Sequence, residues 1–226
     1  MSTSTKKDFY IAISFLVLFV FLSVLSLLDQ LVLFDQRLIS LAMSVATPSI
    51  MSAMELITKI GSGEIIIVLT VLIGITLMVK KMWAYTILLF TLNFGGIILN
   101  FLLKILFQRE RPGEMSVIEV FGYSLEISSY SFPSGHTMRV SILFILIIFL
   151  SFQLISNTIA KYIIALSAIF VICAIALSRI IVGAHFPSDI FAAIAISISW
   201  SYLCFMTFRH LTQGRFSRSR ALWFMN

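Results

Sequence analysis

Apolar runs of about one bilayer thickness, roughly 20 residues each, recur along nearly the whole chain and are separated by short polar interruptions. The first, from Phe9 to Leu28, follows Lys6 and Lys7 and predicts a membrane span. It exceeds the h-region of a signal peptide, and Leu-Leu-Asp-Gln follows where a small-residue cleavage site would stand, so an uncleaved span is expected. From Gln30 to about Gly61 the pattern is mixed, with Asp35, Arg37, Glu55 and Lys59 among Leu, Ile and Met and Pro48 in the middle. That pattern predicts one or two short amphipathic helices lying in the interface. A second span is expected over 64–79, ending at a Lys80-Lys81 turn, and a third over 82–103. Between Lys104 and Ser131 the chain is polar, after which spans over 134–152, 162–177 and 187–206 precede a basic tail, 207–226. The expected fold is all-α, with about six transmembrane helices and short interfacial helices.

Composition narrows the class further. Of 226 residues, 60% are hydrophobic and only 12% charged, and the mean hydropathy of +1.06 excludes a soluble domain. The whole chain, 1–226, reads as one membrane-embedded domain with no internal repeat. A net charge of +6 raises nucleic acid as a partner, but the basic residues collect at the ends of apolar runs, so the bilayer explains them and no nucleic acid is expected. Lys6, Lys7, Lys80, Lys81, Lys161, Arg209, Arg215, Arg218 and Arg220 fall on the side of the termini, so the positive-inside rule predicts both termini cytoplasmic. Multi-pass insertion in the plasma membrane follows, with the polar segments facing the extracytoplasmic side. Cys173 and Cys204 lie inside apolar runs and read as packing residues. The oligomeric state is not legible.

Three polar clusters fall on that outer side. In Ser178-Arg179-Ile-Ile-Val-Gly-Ala-His185-Phe-Pro-Ser-Asp189, a helix beginning at Pro187 would put Asp189 one turn from His185. A carboxylate on one ring nitrogen fixes the tautomer and frees the other nitrogen to attack an electrophile. Arg179 can hold an anion nearby, although a loop with a capping Asp would leave the same trace. Lys104 and Arg111-Pro112 are seven residues apart, which puts both cations on one face if the third helix continues that far. Two snorkelling cations would look alike, and Arg109 and Glu110 read as solvated surface residues. Ser131-Phe132-Pro133-Ser134-Gly135-His136 stands at the start of the fourth span, where free backbone N–H groups and the helix dipole suit an anion. An N-cap Ser with an incidental His is the plainer reading. Together the clusters converge three cations, a helix N-terminus, two histidines and a carboxylate on one face. The group that needs such a cage is a phosphate. No acidic cluster stands ready to hold a metal, and no cofactor is called for.

Lys104-x6-Arg111-Pro112, Pro133-Ser134-Gly135-His136 and Ser178-Arg179-x5-His185-x3-Asp189 resemble the three-part signature of the type 2 phosphatidic acid phosphatase superfamily, over roughly residues 60–206. The resemblance implies a six-span fold and a metal-independent phosphatase acting on a lipid phosphate through a phosphohistidine. His185 would be the nucleophile, oriented by Asp189. His136 would protonate the leaving oxygen and then assist water. Lys104, Arg111, Arg179, Ser134 and Gly135 would bind the phosphoryl oxygens. Arg139, outside the motifs on a similar helix face to His136, contacts either a second phosphate or head group, or only the interface. Phosphatidylglycerol phosphate, phosphatidic acid and undecaprenyl diphosphate all remain candidate substrates. The rival readings are a lipid phosphotransferase using the same phosphohistidine, and a non-catalytic lipid-phosphate binding or transport protein. The soluble haloperoxidase branch of the superfamily is excluded by hydropathy.

Overall fold

The computed structural model describes residues 3–112, 118–120, 123–125 and 130–223. Within these described residues eight helices follow in order: α1 (Thr3–Leu27), α2 (Val32–Ser44), α3 (Pro48–Lys59), α4 (Gly63–Val79), α5 (Trp83–Phe107), α6 (Gly135–Leu154), α7 (Thr158–Ile181) and α8 (Pro187–Trp223). A small antiparallel hairpin, β1 (Ile118–Val120) and β2 (Tyr123–Leu125), lies between α5 and α6. Gly113 and Glu114 of the polar loop, and the side chains of Arg215, Arg218 and Arg220 in the tail, lie outside the described residues.

Among the described residues five helices are long and apolar enough to cross a bilayer: α1, α5, α6, α7 and α8. The remaining expected span, the second, is α4, a shorter apolar helix of 17 residues, about 25 Å at 1.5 Å per residue. Lys80 and Lys81 end it in a tight turn, with Lys81 at φ 57°. Residues 30–61 form α2 and α3, bent 116° from one another at a short break. Pro48 at the first turn of α3 and a Thr47 hydroxyl accepting from the Ile50 N–H at 3.3 Å explain why the chain restarts a helix there.

The core is centred on α6 and α8, whose inner faces carry Met138, Ile142, Leu143, Leu146, Ala192, Ala193 and Ile196, all buried. Small residues on α8 let its neighbours approach, as expected where close packing rather than water drives helix association. α1 packs along α8, α5 and α7 along α6, and α4 along α5, while α2 and α3 lie against the ends of α7 and α8. The outward faces are apolar, with Phe21, Ile98, Ile163 and Phe170 exposed, as a lipid-facing surface requires. The last turns of α5 and α7, the starts of α6 and α8, and the α2–α3 pair meet at one end of the bundle. At the other, Asp8 near the start of α1 pairs with Arg209 of α8 at 3.0 Å, so α1 begins and the last span finishes on a common side.

Candidate active site

The link between α7 and α8 carries the central imidazole. Two backbone amides, Ala184 and His185, both donate to the Arg179 carbonyl, folding the chain back over the end of α7 before Pro187 starts α8. This turn buries His185 to 1% exposure and sets its Nδ1 3.3 Å from Ser131 Oγ and 3.5 Å from Asp189 Oδ2. The expected His185–Asp189 pairing is therefore present, with Ser131 bridging the two by donating its hydroxyl to Asp189 Oδ2. Asp189 also accepts from the Phe186 N–H at 2.9 Å and from Arg109 Nη1 at 2.6 Å. A neutral His185 held at Nδ1 in this way keeps its Nε2 lone pair free.

Burial pushes the His185 imidazole down from 6.5 to about 4, against the upward pull of Asp189. The ring is thus neutral throughout the physiological range. Because the folded value is depressed, this group's contribution to stability is full above about pH 6.5 and declines as pH falls toward 4, where the unfolded chain binds a proton that the folded one refuses. NMR of histidine-labelled protein in detergent, which carries three histidines, should show the His185 ring unprotonated from pH 8 to about pH 5. A midpoint at or above 6.5, assigned by loss of the resonance in His185→Gln, would contradict this placement.

The Ser131–His136 segment is held as a rigid shelf. Phe132 is buried between Phe19 and Phe107, with ring centroids 6.0 and 4.9 Å away, and Asn100 Nδ2 donates to the Pro133 carbonyl at 3.2 Å. Gly135 opens α6 where a Cβ would come 3.0 Å from Asn100 Oδ1 and 3.3 Å from Arg139 Nη1, so only glycine fits without displacement. Ser134 occupies the N-cap position but makes no capping bond; its hydroxyl lies 3.0 Å from Thr137 Oγ1. Its backbone N–H reaches the Asp189 carbonyl at 3.2 Å, which ties the start of α6 to the start of α8.

Two sequence expectations need correction at the end of α5. Lys104 and Arg111 do not share a helix face, because α5 stops at Phe107 and Gln108 turns into the left-handed region at φ 45°. Arg111 instead belongs to the link beyond it, yet remains within electrostatic reach of Lys104, Asp189 and His185. Lys104 Nζ donates to the Tyr130 carbonyl. Nor is Arg109 a solvated surface residue: it stacks 4.2 Å over Phe186 and binds Asp35 at 2.9 Å, Asp189 at 2.6 Å and Ser188 Oγ at 2.7 Å. Glu110 is exposed, as expected.

Arg179, at the last turn of α7, is buried and donates from Nη1 to Thr58 Oγ1 at 2.7 Å, while its Nε has no partner among the described residues. Lys104, Arg111, Arg139 and Arg179 all act electrostatically on the space around His136 or on one another. The structure thus brings together every expected site residue from four separate helix ends. It adds Arg109, Ser131, Ser188 and Asp35. Asp35, 1% exposed, comes from α2 and accepts from the Ser188 N–H and Oγ at 2.8 and 2.6 Å. Among the described residues no group of His, Cys, Asp or Glu side chains gathers as a metal site would need. The charge on offer is cationic.

A bundle of apolar spans whose helix ends converge on a cluster of cations beside a carboxylate-held imidazole defines the class, an integral membrane protein with a cationic site at one end of its bundle. The profile of the PAP2 superfamily matches residues 84–213, and the chain belongs to that superfamily. It is 34% identical over 131 residues to a lipid A 1-phosphatase of Rhizobium johnstonii, covering 56% of this chain and 48% of that protein. With phosphatidylglycerophosphatase B of Bacillus subtilis it shares 27% identity over 172 residues, 75% of this chain and 80% of that one. The chain spans about half the length of the Rhizobium relative. Among solved structures, the transmembrane PAP2-type phosphatidylglycerolphosphate phosphatase of Bacillus subtilis superposes with a TM-score of 0.75 at 23% identity, over 86% of this chain and 94% of that one. LpxE of Aquifex aeolicus superposes at 0.53 and 24% identity, over 75% and 93%. These two likenesses establish the fold.

Proposed function

We propose that the protein is an integral membrane lipid phosphatase that removes the terminal phosphate of a lipid phosphate through a phosphohistidine on His185. The observation that carries this reading is the fixed imidazole: Nδ1 set against Ser131 and Asp189, with Lys104 and Arg111 in electrostatic reach. Nε2 would attack phosphorus while Lys104, Arg111, Arg179 and the Ser134–Gly135 turn hold the phosphoryl oxygens, where positive charge favours the transition state most. His136 would face the leaving oxygen, and then the water that frees the enzyme. Asp189, already fixed by three donors, keeps the ring oriented and stabilises its positive charge once the N–P bond forms.

An apolar cavity of about 500 Å³ between α1, α2 and α8 supports a lipid rather than a soluble substrate. Phe34 and Phe191 line it, from the same two helices, α2 and α8, that carry Asp35 and Asp189 on other faces. We place both termini in the cytoplasm and the site on the extracytoplasmic face of the plasma membrane, on the distribution of Lys and Arg.

The test is phosphate release by the purified protein in detergent with excess chelator, across phosphatidylglycerol phosphate, phosphatidic acid and undecaprenyl diphosphate. Release that survives chelation supports the reading. Label passing to an acceptor lipid instead of water would make the protein a phosphotransferase. No turnover of any lipid by folded protein would leave only binding or transport.

A further inference from the structure

The Nδ1 hydrogen of a neutral His185 has to find an acceptor, and the carboxylate beside it has no room left. Asp189 Oδ2 already accepts the Phe186 N–H at 2.9 Å and the Ser131 hydroxyl, which fill both lone-pair positions of that oxygen. The other oxygen is taken by Arg109 Nη1 at 2.6 Å. Nδ1 stands 3.5 Å from Oδ2, beyond the usual N–H···O range of about 2.7–3.2 Å, and nearer, at 3.3 Å, to Ser131 Oγ. Ser131, His185 and Asp189 are each no more than 1% exposed, so bulk water does not stand in for a missing partner.

Counting hydrogens assigns every role. A hydroxyl has a single hydrogen, and that of Ser131 lies on the Asp189 side, because two oxygens in such close contact repel one another without it. Oγ is then left with lone pairs only, so Nδ1 is the donor of the remaining contact. The bonds run from Nδ1–H to Oγ and from Oγ–H to Oδ2. The ring is thereby the tautomer that leaves its lone pair on Nε2, as a nucleophile requires. Its own segment sets the hydroxyl in place: the Ser131 N–H donates to the Arg109 carbonyl at 2.7 Å, and the adjoining Phe132 is clamped by Phe19 and Phe107. The shelf that carries Ser134 and Gly135 therefore also reaches the imidazole.

We propose that Ser131 is a positioning residue for the nucleophile, a hydroxyl link through which Asp189 fixes the tautomer of His185 and steadies the ring once it is charged. The inference rests on the phosphatase reading above. As Nε2 gives its electron pair to phosphorus, the bond to the leaving oxygen breaks with its pair on that oxygen, and the ring becomes cationic. Its hydrogen stays on Nδ1. The bond from Nδ1–H to Oγ is now charge-assisted and polarises the hydroxyl toward Oδ2, so the carboxylate acts on the ring through the serine. When water attacks the phosphorus, the N–P pair returns to Nε2. His136 gives the leaving oxygen its hydrogen and regains one from that water, so Ser131 transfers no proton in either step.

The test joins a measurement that needs no turnover to one that does. In NMR of protein with isotope-labelled histidine in detergent, with His185 assigned by loss of its resonances in His185→Gln, wild type should carry the hydrogen on Nδ1. Ser131→Ala should shift that ring toward the Nε2–H form. Then kcat and KM on phosphatidylglycerol phosphate, phosphatidic acid and undecaprenyl diphosphate are compared for wild type, Ser131→Ala, Ser131→Thr, Asp189→Asn and the Ser131→Ala/Asp189→Asn double. Ser131→Ala should lower kcat about 10- to 100-fold, the loss of one hydrogen bond to a charged group, with KM within about twofold. Ser131→Thr, which keeps the hydroxyl, should recover part of the rate and shows that the loss is not misfolding. The double should be little slower than Asp189→Asn alone, because the link is already broken. A wild-type ring with its hydrogen on Nε2, an unchanged tautomer in Ser131→Ala, losses that multiply in the double, or a Ser131→Ala defect confined to KM would each overturn the inference and leave the phosphatase reading standing. No turnover of any lipid by folded wild type would remove the phosphatase reading, and the tautomer in Ser131→Ala would then decide the link by itself.

Discussion

His185→Gln should abolish turnover, lowering phosphate release by about 10⁴-fold or more, while the protein stays folded in detergent. The size of the effect follows from what the ring alone supplies. His185 is 1% exposed, sits in a turn fixed by two amides on the Arg179 carbonyl, and is the one imidazole with a carboxylate at Nδ1. On the proposed reading the cationic cage survives the substitution and would still bind the phosphate, so affinity should change much less than rate. Wild type incubated with lipid labelled in its terminal phosphate and quenched in alkali should carry label on protein, and His185→Gln should carry none. Label on the variant at wild-type level would move the nucleophile elsewhere. His136→Gln supplies a useful contrast: with His185 intact it should still accept label, although slowly.

The spans and the polar clusters at their ends were legible because each depends on local pattern. A bilayer imposes its thickness on every apolar run, and a phosphate site imposes residue types at helix ends. Pro187 marked the start of α8 correctly, and with it the His185–Asp189 pairing. The geometry at the end of α5 was not legible. Nothing in Phe-Gln-Arg-Glu announces that Gln108 turns left-handed, so the shared face of Lys104 and Arg111, which required the helix to continue, fell with it. Asp35 was hidden for a different reason. It reaches Ser188 across 153 residues of sequence, from a segment that carries no motif, and a carboxylate in an amphipathic helix looks solvated until its partner is known. Arg109 was hidden by its neighbours: in a run of charged residues each one reads as surface. The Arg179–Thr58 bond, spanning 121 residues, belongs to the same class. What one sequence shows is therefore the local chemistry at each helix end. The support behind it is assembled only by tertiary packing.

Arg109→Ala should then be the most damaging change outside the residues proposed to hold the phosphate. The guanidinium holds two carboxylates apart, Asp35 at 1% and Asp189 at 0% side-chain exposure, at 2.9 and 2.6 Å. Removing it takes from both buried carboxylates the cation they are paired with, and a broken buried pair typically costs about 3–5 kcal/mol. Activity should fall about a hundredfold as well, because Asp189 would lose the donor on Oδ1 and be free to rotate away from Ser131 and His185. Arg109→Lys should rescue little, since an ammonium cannot fork to two carboxylates and a hydroxyl or stack on Phe186. Asp35→Asn separates support from chemistry: it keeps an oxygen for the Ser188 amide but removes one of the two charges facing Arg109. Combined with Arg109→Ala it should restore part of the stability that the single change loses, with a coupling of about 0.5–3 kcal/mol, and restore little activity, because Asp189 stays without its cation. Thermal unfolding in detergent and phosphate release, measured on the wild type, both singles and the double, decide the matter. Strict additivity in both would mean that Arg109 and Asp35 act independently, and that α2 does not brace the carboxylate that orients His185.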